Sequence, residues 1–99
     1  MGARIAVDQE RLVELCRRWH IRELALFGSV LREDFRADSD VDVLVEFEPG
    51  HTPGFAYEDL RRELEAMLER RVDLVSKAGL KNPFSRHEIF GTREVVYSG

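Results

Sequence analysis

The segment Val41–Phe47, VDVLVEF, limits the fold more than any other stretch of this chain. It is apolar enough on both faces to be the central strand of a sheet rather than an edge. Yet Asp42 interrupts it, and Asp40 stands just before it. In a strand, residues i and i+2 share a face, so Asp40 and Asp42 project together while Val41, Val43 and Val45 pack on the other side. Burying two carboxylates without partners costs several kcal/mol. A divalent cation on the same face removes that cost. Hard carboxylate oxygens with no His or Cys beside them suit Mg²⁺ or Mn²⁺.

The same anomaly recurs at Asp73, inside the apolar run RVDLVS, 71–76. If that strand lies beside 41–47, Asp73 joins the same site. Three carboxylates could then hold two ions about 4 Å apart, one on a leaving polyphosphate and one on an attacking hydroxyl. Upstream, the apolar run ELALFG, 23–28, stops at Gly28-Ser29. A strand that ends at glycine and gives way to a helical turn points backbone N–H groups at an anion. Ser29 adds a hydroxyl, and Arg32, one turn on, can reach back to a phosphate. Ser39 either donates another hydrogen bond or only caps the turn before the strand. Each feature also has a bland reading. A Gly-Ser is usually a turn, a D-x-D is common at loop edges, and Asp73 could simply pair with Arg70 or Arg71. Their joint occurrence is what carries weight.

The rest of the pattern supplies a scaffold. Asp8 is an N-cap, and Leu12, Leu15, Cys16 and Trp19 follow at helical spacing, so a helix is expected over 8–19 with Cys16 in the core. A short helical turn is expected from about residue 30. EPGHTPG, 48–54, reads as a surface loop. A long helix follows from about 55, with Leu60, Leu64, Met67 and Leu68 as its apolar stripe. Phe55 and Tyr57 flank either a bound base or, more simply, the start of that helix. Asn82-Pro83 opens a short helix over 83–90, and REVVYS, 93–98, reads as an edge strand. His20, His51 and His87 are scattered, with no ligand spacing. The resulting order is α, β, (α), β, α, β, α, β, one α/β layer domain over residues 1–99.

Composition narrows the class. Apolar residues make up 43% and charged residues 34%, a globular balance. The net charge of −4 with no basic block gives no sign of direct nucleic-acid binding. A single cysteine excludes an internal disulfide. With no signal-like start and no long apolar run, a cytoplasmic protein away from membranes is expected.

Gly28-Ser29, ten residues, then Asp40-Val41-Asp42 resembles the GS-x10-D-x-D signature of the DNA polymerase β-like nucleotidyltransferase superfamily. Asp73 falls where that family carries its third carboxylate, on the strand after the long helix. The chain looks like a minimal nucleotidyltransferase, from LFGS to REVVY, with LREDF replacing the more frequent ARGEA-like segment. The resemblance implies a small mixed β-sheet with helices mainly on one side. It implies transfer of a nucleoside monophosphate, AMP by default, from an NTP such as ATP, with two Mg²⁺ ions. Asp40 and Asp42 would hold both metals, Asp73 would sit near the nucleophile, and Gly28 and Ser29 would grip the triphosphate. Minimal members often pair as antitoxins with a HEPN-domain toxin, some resembling protein adenylyltransferases. Two alternatives stay open: an antitoxin that neutralises by binding alone, and, more weakly, an aminoglycoside nucleotidyltransferase.

Overall fold

A computed structural model describes residues 7–28, 40–79, 87, 89 and 91–99. The expected turn near residue 30 lies outside these residues, as does most of the expected 83–90 helix.

Helix α1 spans Gln9–Arg18. Asp8 caps it: Oδ1 accepts from the backbone N–H groups of Glu10 (3.1 Å) and Arg11 (3.3 Å). Leu12, Leu15 and Cys16 bury the inner face. Burial pushes the Cys16 thiol up to about 12, which makes it a packing group rather than a nucleophile. His20, at φ 55, turns the chain out of the helix.

Strand β1 then runs Ile21–Phe27, starting two residues before the sequence pattern suggested. A register shift between Ile21 and Glu23 explains the early start, because it breaks the alternation there. Strand β2 is Val41–Phe47, as expected. After a 3-10 turn at Gly54–Ala56, helix α2 covers Tyr57–Leu68 and ends at Glu69, φ 56. Strand β3 is Val72–Ser76 and strand β4 is Glu94–Ser98.

The strand order is β3-β2-β1-β4. Strands β1 and β2 are antiparallel, as are β1 and β4, while β2 and β3 are parallel. The sheet is therefore mixed. The parallel pair requires a crossover, and α2 supplies it. As its two-sided apolar run predicts, β2 is an interior strand.

Alternation assigns the two faces. Leu24 and Leu26 pair with Val45 and Val43, and Val43 and Val41 pair with Leu74 and Val72. All seven are buried with Leu12, Leu15 and Cys16 of α1 and Leu60 and Leu64 of α2 in one cluster. Glu63 bolts the two helices together, accepting from Trp19 Nε1 (2.9 Å) and Arg18 Nη2 (2.8 Å). The other parity of β1, β2 and β3 carries Ala25, Leu44, Asp42 and Asp73 on the opposite face. The helices cover one side, and the carboxylates occupy the other.

Candidate active site

The site lies at one end of the β1–β2–β3 ladder. Asp42 pairs with Phe27 on its antiparallel side and with Asp73 on its parallel side. Adjacent strands stand about 4.8 Å apart, so two same-face carboxylates project side by side. The valines that flank Asp42 are completely buried on the helical face. Their packing fixes β2 against rotation, and so fixes which way Asp42 points.

Gly28 closes the site above Asp42. Its φ is +75, a conformation that β-carbon-bearing residues rarely adopt. A Cβ built there would stand 2.2 Å from Asp42 Oδ2 and 3.1 Å from its Cγ. The absence of a side chain is thus required twice, by backbone conformation and by the carboxylate beside it. What approaches Gly28 closely in this structure is the Asp42 carboxylate. Ser29, Arg32 and Ser39 lie outside the described residues.

Asp40 stands just before β2, where Val41 donates its N–H to the Arg71 carbonyl at 2.9 Å. Its Oδ1 meets Arg71 Nε at 3.0 Å. Both side chains are well exposed, 52% for Asp40 and 76% for Arg71, so the pair contributes little to stability. Arg71 thus pairs with Asp40, where the bland reading of the sequence offered Arg70 or Arg71 to Asp73.

Tyr57, at the start of α2, donates its hydroxyl to the Leu74 carbonyl at 3.0 Å. Burial first, and the negative charge of Asp73 second, push the phenol up to about 12. Tyr57 is thus a neutral donor that ties the helix to β3 beside Asp73. It begins the helix and packs on the core, as the simpler reading held, while Phe55 is fully exposed in the turn before it. The hydroxyl contact was invisible in the sequence, because nothing local links residue 57 to residue 74.

The donor set fits a hard divalent cation. Carboxylate oxygens come from neighbouring strands, and the missing side chain at Gly28 leaves room for the Asp42 carboxylate. The three carboxylates do not gather into one tight cluster among the described residues; the group that does is His20, Glu48 and His51.

Residues 10–96 match the nucleotidyltransferase domain family. The chain is 44% identical over 85 residues to protein adenylyltransferase MntA of Thermococcus cleftensis, covering 85% of this chain and 81% of that protein. A solved structure provisionally designated a minimal nucleotidyltransferase is 38% identical with a TM-score of 0.72, covering 87% of this chain and 86% of the other. A chain from the complex of tri-AMPylated Shewanella oneidensis HEPN toxin with MNT antitoxin superposes with a TM-score of 0.65 at 19% identity, covering 92% of this chain and 70% of that one. At that identity the likeness speaks for the fold.

Proposed function

The chain belongs to the nucleotidyltransferase family, and from that membership we propose that it transfers AMP from ATP to a protein acceptor, a HEPN-domain toxin for which it is the antitoxin. The observation that carries the reading is the in-register facing of Asp42 and Asp73, with Gly28 closed down on Asp42. The relative named a protein adenylyltransferase supports a protein acceptor and AMP. The solved pair of AMPylated HEPN toxin and MNT antitoxin supports the partner.

In this reading an acceptor hydroxyl oxygen attacks the α-phosphorus. A new P–O bond forms, the bond to the β-phosphate oxygen breaks, and pyrophosphate leaves. Asp73 takes the proton of the attacking hydroxyl. Asp40 and Asp42, with Asp73, would hold Mg²⁺. When bound, the metal supplies charge neutralisation on the phosphates and acidifies the attacking hydroxyl. Gly28 lets the triphosphate approach the backbone; Ser29, Arg32 and Ser39 are proposed as further phosphate contacts. Asp40 must exchange Arg71 for this role. An exposed ion pair of that kind is weak enough to be displaced.

The test incubates the chain with labelled ATP, Mg²⁺ and its HEPN partner. Label on the partner, lost in Asp40→Asn/Asp42→Asn, is the expected result. Full neutralisation of the partner with no label transferred would sink the catalytic reading and leave neutralisation by binding alone.

A further inference from the structure

His20, Glu48 and His51 carry no ligand spacing in the sequence, and the fold assembles them. His20 precedes β1 and Glu48 follows β2, so the ladder ending at the Ile21–Phe47 pair sets them side by side. Backbone hydrogen bonds hold the set in place: Glu48 N–H donates to the His20 carbonyl at 2.8 Å, and His51 N–H to the Glu48 carbonyl at 3.0 Å. The two imidazoles stack with centroids 4.0 Å apart and planes 20° from parallel. His20 Nδ1 lies 3.8 Å from Glu48 Oε1. One ligand atom from each of the three residues falls within 4.8 Å of the others.

We propose that His20, Glu48 and His51 form a second metal site, selective for a borderline transition ion such as Zn²⁺ over Mg²⁺. Two imidazole nitrogens with one carboxylate oxygen make a donor set that suits Zn²⁺, whereas Mg²⁺ favours oxygen donors alone. Zinc–nitrogen distances of about 2.0–2.1 Å in a tetrahedral shell separate ligand atoms by roughly 3.3 Å. The present spacing, within 4.8 Å, thus contracts by up to about 1.5 Å on binding. All three side chains are exposed, so that movement disturbs no core packing. The fourth position faces solvent, open to water.

This site is separate from the carboxylates. Ile21–Phe47 and Phe27–Asp42 mark opposite ends of the same ladder, on the order of 20 Å apart. A bound ion would staple the corner between α1 and β1 to the loop that leads into α2.

The test is calorimetric titration of the untagged chain with ZnCl₂ in millimolar Mg²⁺, which occupies the carboxylates. The wild type should bind one equivalent of Zn²⁺. His51→Ala and His20→Asn should each weaken binding at least tenfold. Asn tolerates the left-handed backbone at position 20, so both variants should keep the wild-type melting temperature without Zn²⁺, and both should keep nucleotide transfer. The proposal is overturned if the wild type binds no Zn²⁺, or if either variant binds it within threefold of wild type.

Discussion

A β-carbon on Gly28 would stand 2.2 Å from Asp42 Oδ2, well inside any permitted contact. The turn after β1 and the carboxylate of β2 are therefore built as one unit, in which neither can change without the other.

Gly28→Ala should accordingly damage the site more than the fold. The left-handed backbone costs an L-residue about 1–2 kcal/mol. The steric conflict forces Asp42 aside, and a displacement of about 1 Å at a reacting centre costs roughly 10²-fold in rate. The expected outcome is a lowered melting point with transfer reduced by about two orders of magnitude. Single-turnover transfer of labelled AMP checks it.

Asp42 and Asp73 face each other on neighbouring strands. Like charges placed so cost about 0.2–1 kcal/mol. Asp42→Asn and Asp73→Asn should therefore leave the nucleotide-free protein as stable as wild type or slightly more so. Mg-ATP at about 100 times its Kd should stabilise the wild type by about 2.7 kcal/mol, and Asp42→Asn should lose that response. Asp73→Asn should lose about 10²–10⁴-fold in transfer, the usual contribution of a general base. Thermal melts with and without Mg-ATP separate the two roles.

Arg71 competes for Asp40. Because the pair is exposed, Arg71→Ala should change stability by less than about 1 kcal/mol. It should tighten Mg²⁺ binding severalfold at low salt, and the gain should shrink as salt screens the pair. Titration of Mg²⁺ in wild type and variant at two ionic strengths measures both effects.

Tyr57 offers a pH signature. Its phenol titrates at about 12 in the folded chain against an ordinary 10.0. Between these values the unfolded chain has released the proton while the folded chain keeps it, so folding stability falls as pH rises from about 10 to 12. Below pH 10 both states are protonated and Tyr57 contributes no slope. Tyr57→Phe should lose about 1 kcal/mol at neutral pH with the Leu74 hydrogen bond, and should show a shallower decline across pH 10–12. Denaturant melts of the two proteins over that window give the difference. Equal slopes would mean that Tyr57 keeps its ordinary pKa in the fold.

Much of this molecule is written locally. The cap at Asp8 needs only residues 8–11, and it forms as the sequence implies. The stripe Leu60–Leu64 and the buried valines of β2 follow from helical and strand periods alone. The same alternation put Asp42 on the face away from the valines before any neighbour was known. Ile21 and Arg22 were missed because the register shift after Ile21 hides the strand's period. His20 and His51 are exposed, as a surface role implies; what the sequence does not carry is their proximity, which is created by pairing between strands, not by spacing along one.

The sequence by itself determined which residues could serve chemistry: two acidic interruptions in apolar strands, a third carboxylate just before one of them, and one glycine at a strand end. Periodicity is a property of neighbouring residues, so it survives in a bare string of letters. Only the tertiary structure decided who meets whom. The parallel pairing of β2 with β3 brings Asp73 to Asp42, the fold lends Arg71 to Asp40, and the far end of the ladder stacks His20 on His51. Strand order and register are set by burying one shared core under two helices. That is a long-range optimum, which no local pattern encodes.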